Sequence, residues 1–125
     1  MERKTRQRDA IRRAFEAANR PLAPGEVLDV AQVQVPGLGI ATVYRAIRDL
    51  QTEGWLTPVE LPGEPPRYER AHLDHHHHFR CRECNRVFEV HGCMEDLARL
   101  APSGFEVEAH EVVLYGLCER CARAA

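Results

Sequence analysis

Two cysteine pairs constrain this chain more than any other feature. Cys81-Arg82-Glu83-Cys84 and Cys118-Glu119-Arg120-Cys121, with 33 residues between them, supply four thiolates, the ligand set of a closed tetrahedral zinc site. Four sulfurs saturate tetrahedral zinc, so such a site serves folding and not catalysis. A redox dithiol is the alternative for CxxC pairs, and a lone pair would have left that choice open. Directly upstream stand four consecutive histidines, His75, His76, His77 and His78. A zinc already held by four sulfurs has no use for them, so they imply a second and more open metal function.

On an extended segment His75 and His77 point one way and His76 and His78 the other. The run can therefore feed two distinct sites, each completed from Glu69, His72, Asp74, Glu89, His91, Glu95, Asp96, Glu108 or His110. A solvated polar hinge is the bland alternative. Cys93 is the odd cysteine; the expectation is a small core residue, with ligation or redox sensitivity as the lesser reading.

Charge is distributed unevenly over the 125 residues, whose formal net charge is −2. Residues 1–13 carry Arg3, Lys4, Arg6, Arg8, Arg12 and Arg13 against Glu2 and Asp9, while residues 71–125 are net acidic. The basic end is a candidate polyanion contact or else a solvated first helix. The chain contains no apolar run of membrane-spanning length and no apolar core behind its charged start, and its CxxC pairs suit a reducing compartment. The expectation is a cytoplasmic protein with no membrane partner.

Helical spacing of Ile11, Ala14, Phe15 and Ala18 predicts a first helix over residues 5–18, ended by Asn19-Arg20-Pro21. Pro24 suits the first turn of a second, with Val27, Leu28 and Ala31 buried. A third runs from Ile40 to Glu53 and closes at Gly54. At 100° per residue it gathers Ile40, Val43, Ile47 and Leu50 on one side and Ala41, Arg45, Arg48 and Thr52 on the other, with Thr42 and Tyr44 at the boundary. Small residues beside arginines suit a major groove, although an ordinary amphipathic surface helix shows the same pattern. Residues 55–61 and 67–70 read as a hairpin around a Pro/Gly turn. Three helices and a hairpin make a winged helix-turn-helix, with the third helix as reader.

Beyond about residue 72 the composition turns to His, Cys and acid. Strand, knuckle and strand are predicted over residues 79–90, a short helix over 94–101, and a long strand over 105–117 with Glu106, Glu108 and His110 on one face. About 50 residues bury little core, so this domain needs its zinc and a second subunit.

Taken in order, Thr5-Arg6-Gln7-Arg8, Gly39-Ile40-Ala41-Thr42-Val43-Tyr44-Arg45, His75 through Cys84, Val87-Phe88-Glu89, and His110 through Tyr115-Gly116-Leu117-Cys118 resemble the ferric uptake regulator family of bacterial metal-sensing repressors. The resemblance covers nearly the whole chain. It implies an α+β protein and not an enzyme: a winged helix-turn-helix over residues 1–72, then a small α/β dimerisation domain with a four-cysteine zinc site over 73–125. It further implies a homodimer that grips a palindromic double-stranded DNA operator when metal is bound, with no small-molecule substrate.

Residue by residue, Tyr44 and Arg45 match the family's base and backbone contacts, to which the basic first helix and the third helix add Lys4, Arg8 and Thr42 as DNA-binding candidates. Cys81, Cys84, Cys118 and Cys121 match the structural zinc. Glu69, His76 and His78 match a sensing site at the hinge. His75, His77 and His110 match a second site, with Asp96 or Glu95 as its carboxylate. Iron- and peroxide-sensing members carry a histidine where this chain has Arg20-Pro21, and iron members have Asp where it has His77. The unbroken histidine run is similar to the zinc uptake regulator branch. Many of that branch have a cysteine near Ala71, for which His72 is the available substitute. More imidazole and less carboxylate favours Zn²⁺ over Fe²⁺ or Mn²⁺. A zinc hydrolase with Glu89 or Glu69 as base, or a zinc-stapled interaction module, would explain neither the basic start nor the third helix.

Overall fold

The computed structural model describes residues 2–94 and 96–124 and separates into two compact units, 1–73 and 74–125. In the first, α1 (Arg3–Ala18), α2 (Pro24–Ala31) and α3 (Ile40–Thr52) precede a hairpin of β1 (Leu56–Val59) and β2 (Arg67–Arg70). α1 stops at Asn19, which adopts a left-handed φ of 54° and returns its N–H to the Phe15 carbonyl. Proline opens α2, and the Glu26 carboxylate accepts the Ala23 N–H at 3.0 Å, satisfying a donor the helix leaves unpaired.

Ile11, Ala14 and Phe15 meet Val27, Ala31, Val43, Ile47 and Leu50 in one core, which Leu38 and Leu56 close. The buried side of α3 is Val43, Ala46, Ile47 and Leu50. Ile40, expected on that side, is instead exposed: it lies in the first turn, about 70° from the centre of the buried stripe. β1 and β2 pair antiparallel with Thr57 opposite Glu69, and the Leu22 and Tyr68 backbones exchange two hydrogen bonds beyond β2. Trp55 sits edge-on to Phe15, under the Arg12 guanidinium.

The second unit holds a three-stranded sheet in the order β4 (Val87–Val90), β3 (His77–Cys81), β5 (Val113–Gly116), followed by α4 (Glu119–Ala124). β3 runs antiparallel to β4 and parallel to β5. The expected long strand over 105–117 is cut to β5, because residues 105–112 find no ladder partner among the described residues of the chain. The expected helix over 94–101 is reduced to a single 3₁₀ turn, Leu97–Leu100. Of this unit's described hydrophobic residues, Cys81 and Val87 are fully buried, while Met94, Leu100, Phe105 and Tyr115 stand exposed. No helix among the described residues is long and apolar enough to cross a membrane.

Candidate metal centres and a basic surface

β3 ends on Cys81, and the chain turns at Asn85, whose φ of 62° is left-handed. Asn85 donates its N–H to the Cys81 carbonyl at 3.0 Å, which closes the knuckle on Cys84. Parallel pairing sets Gly116 beside Cys81, so the chain leaving β5 delivers Cys118 and then, from the first turn of α4, Cys121. The four Sγ atoms lie within 4.8 Å of one another, and Cys84 and Cys118 are 3.9 Å apart. A Zn–S bond of about 2.3 Å in a tetrahedron requires S···S edges of roughly 3.8 Å. The thiols fit zinc.

Their acidities are already split. Backbone N–H groups of Cys84 and then Cys118, aimed at the Cys81 sulfur, draw its pKa down to about 6. Burial, followed by the neighbouring Cys118 sulfur, pushes Cys121 up to about 12. Cys81 is therefore the thiol that ionises most readily, whereas Cys121 is the one that an incoming ion must strip of its proton.

A second cluster forms at the other end of the same sheet. His77 begins β3 opposite Val90, the last residue of β4, and His78 is level with Val113, the first of β5. Segments leaving β4 and entering β5 thus converge on the histidine run. His75 Nε2 lies 3.1 Å from His77 Nε2 and 3.2 Å from His110 Nε2. The fourth member is Cys93, whose Sγ is 3.2 Å from His77 Nε2 and 2.9 Å from His110 Nε2.

As an odd cysteine Cys93 is expected in the core, and the family resemblance implies Asp96 or Glu95 in this position. Cys93 is in fact exposed, carried to the cluster by Gly92 at φ 144°, a conformation a side chain would disfavour. Asp96 is not brought to the group; it sits at the start of the 3₁₀ turn and faces Arg99 at 3.7 Å. Glu95 lies outside the described residues. The signal that could have found Cys93 is its distance past β4, which mirrors that of His110 before β5.

His77 is 5 % exposed, and burial, then His75 and His110, hold its pKa below the usual imidazole value. The Val112 N–H donates to His77 Nδ1 at 3.2 Å, which fixes the ring and leaves the proton of the neutral imidazole on Nε2, to be displaced by an ion.

The alternate histidines face elsewhere, as the strand period requires. The His76 and His78 rings lie edge to face with centroids 4.8 Å apart. His76 donates from Nδ1 to the Asp74 carbonyl at 2.7 Å, making Nε2 its lone-pair nitrogen, the arrangement that orients ligating imidazoles. In the first unit Glu69 is a buried carboxylate in the middle of β2. His72 is exposed at φ 64° and Glu89 lies 3.6 Å from His91.

The start of α1 and the outer side of α3 share a concave surface of about 390 Å³ lined by Arg3, Lys4, Gln7, Arg8, Thr42, Arg45, Ala46 and Asp49. Arg45 donates to the Thr42 hydroxyl at 3.1 Å. Arg8 is partly committed within the unit, reaching Asp49 at 2.9 Å and Glu53 at 3.0 Å, so it ties α1 to α3 as well as lining the surface. Tyr44 is 56 % exposed on the adjoining side of α3.

The chain matches the model of the "Ferric uptake regulator family" over residues 2–115. It is 33 % identical over 91 residues to the ferric uptake regulation protein of Bordetella parapertussis, a match spanning 69 % of this chain and 64 % of that one. With the transcriptional regulator FurA of Mycobacterium bovis it shares 30 % identity over 124 residues, covering 96 % of this chain and 83 % of the relative. A solved zinc-bound manganese uptake regulator has a similar fold, with a TM-score of 0.78 at 25 % identity over 90 % of this chain and 87 % of that one.

Proposed function

The chain belongs to the ferric uptake regulator family, whose members are metal-responsive transcriptional regulators and not enzymes, and on that premise we propose that it is a dimeric, DNA-binding repressor of metal-homeostasis genes that answers to zinc. The observation that carries this reading is the donor chemistry of the second unit. Its two clusters are built from sulfur and imidazole nitrogen, the donors that suit Zn²⁺, with no described carboxylate in either. The zinc-hydrolase and interaction-module readings explain neither the family nor the basic surface on α1 and α3.

In this proposal Cys81, Cys84, Cys118 and Cys121 hold a permanent zinc that folds the second unit. Glu69, His76 and His78 are the regulatory ligands, as the family likeness suggests, and the Asp74 carbonyl keeps His76 in the ligating tautomer. His75, His77 and His110 take a second ion. Lys4, Arg8, Thr42, Tyr44 and Arg45 contact the operator, phosphate from the helix start and base edges from α3. The exposed apolar side chains Met94, Leu100, Phe105, Val107, Leu114 and Tyr115 support a second subunit. Metal acts by binding the DNA-ready arrangement better than the other, and by linkage DNA tightens metal binding by the same factor.

The carboxylate of Glu69 is what an iron- or manganese-sensing alternative rests on, because oxygen suits those harder ions. Operator binding titrated with Zn²⁺, Fe²⁺ and Mn²⁺, in the wild type and in a His76→Ala/His78→Ala variant, tests the proposal. Zinc should activate at the lowest free concentration, and the variant should lose metal-dependent binding while keeping its cysteine-bound zinc. Activation by Fe²⁺ at lower concentration than Zn²⁺ would move the assignment to iron, and equal operator affinity with and without metal would end the switch reading.

A further inference from the structure

We propose that the Cys93 thiolate is the fourth ligand of the second ion site, making it a three-imidazole, one-thiolate centre selective for a borderline ion such as Zn²⁺. This rests on the reading of His75, His77 and His110 as ion ligands given above. The donor atoms form a closed ring, from His75 to His77, Cys93, His110 and back, with successive separations of 3.1, 3.2, 2.9 and 3.2 Å. Tetrahedral zinc with bonds of about 2.0–2.1 Å to nitrogen and about 2.3 Å to sulfur asks for edges of roughly 3.3 Å and roughly 3.5 Å. The N···N edges need to lengthen by about 0.1–0.2 Å and the N···S edges by about 0.3–0.6 Å, within the reach of side-chain rotation.

The fold brings this cysteine and, among the described residues, no carboxylate to the imidazoles. Among the described residues, the segment between β4 and the 3₁₀ turn reverses at Gly92 and presents Cys93 to the imidazoles. The next described acid, Asp96, has a side chain 70 % exposed and turned to Arg99. All four donors come from the second unit, from three segments that the sheet register brings to one end, so the site needs no rearrangement of backbone.

A thiolate in this position changes what the site accepts. Sulfur binds Zn²⁺ and Co²⁺ well and Mn²⁺ and Mg²⁺ poorly, whereas a carboxylate would admit the harder ions. With four protein ligands the centre is closed, and no water or substrate position remains.

Co²⁺ is the probe, because a Co–thiolate bond adds a sulfur-to-metal charge-transfer absorption in the near ultraviolet that nitrogen and oxygen ligands do not give. His76→Ala/His78→Ala protein, which lacks the regulatory histidines, should with zinc retained in the cysteine site bind one further equivalent of Co²⁺ with that absorption, and the variants below are made in this background. Cys93→Ser should keep the weaker visible bands of histidine-bound Co²⁺ but lose the charge-transfer band. Its zinc affinity at this site should fall by at least about tenfold, since loss of even an outer-shell partner costs roughly 10–100-fold. Asp96→Asn should change neither signal. Co²⁺ bound at the histidines without charge transfer, or affinity lost in Asp96→Asn and kept in Cys93→Ser, would overturn the thiolate assignment and leave the ion site standing. Absence of any Co²⁺ beyond the cysteine site would instead overturn the ion site itself. Cys93 is exposed, so unchanged circular dichroism of the serine variant is expected and separates ligand loss from misfolding.

Discussion

Cys84→Ser should remove the structural zinc and unfold residues 74–125 while leaving the first unit intact. The magnitude follows from how little else holds that unit together. Val87 and Cys81 are its only fully buried hydrophobic side chains among the described residues. A fully buried valine contributes about 1.5–3 kcal/mol, and a small thiol no more. Zinc binding in small metal-stapled domains is worth about 10–16 kcal/mol, several times the apolar contribution, and it is folding free energy because no site exists in the unfolded chain. Serine cannot supply a thiolate, so most of that term is lost.

The two units can be followed separately. Trp55 is the single tryptophan of the chain and lies against Phe15 in the first unit, so its fluorescence reports that core. Hydrogen exchange at the Cys81 N–H, which donates to the Arg86 carbonyl, reports the second. In the variant, bound zinc should drop by one equivalent per chain and protection at Cys81 should collapse, while the Trp55 unfolding transition stays put. A variant that kept wild-type zinc content and Cys81 protection would refute the claim that this metal folds the unit.

Arg45→Ala should weaken operator binding by about 1–3 kcal/mol if the guanidinium reads a base edge, measured by titration of operator against scrambled DNA. Lys4→Ala should weaken all sequences alike and reduce the slope of log K against log salt by about one. Phe15→Ala should cost about 3–5 kcal/mol in denaturant unfolding followed at Trp55, because the ring is buried at the centre of the three helices. With the second ion site empty and the cysteine zinc in place, burial and the neighbouring His75 keep His77 below its unfolded value of 6.5. The unfolded chain then takes up a proton that the folded one refuses. Stability contributed by neutral His77 is therefore present above pH 6.5 and lost as pH falls below it. The denaturation midpoint of the second unit should be lower at about pH 5.5 than at about pH 7.5, and His77→Gln should shrink the difference.

What was legible from sequence alone was whatever depends on spacing along one element. Pro24, Asn19 and Gly54 mark helix ends by backbone chemistry, and Val43, Ile47 and Leu50 recur with the helical period. The two CxxC pairs carry their zinc geometry in their spacing, and alternation along a strand separates His75 and His77 from His76 and His78. Tertiary structure decided what depends on which segments meet. Ile40 has the period of a core residue but lies in the first turn, off the stripe that α1 and α2 cover. Residues 105–112 alternate as a strand should, yet the strand is confined to Val113–Gly116, the residues in register with β3. By sequence Asp96 or Glu95 is the expected ligand and Cys93 a core residue, with ligation only its lesser reading. The sheet register and the reversal at Gly92 bring the sulfur to the imidazoles and leave the Asp96 carboxylate beside Arg99, a choice made by the path of the backbone. The matching spacings of Cys93 and His110 from the sheet acquire meaning only once β4 and β5 are known to flank β3.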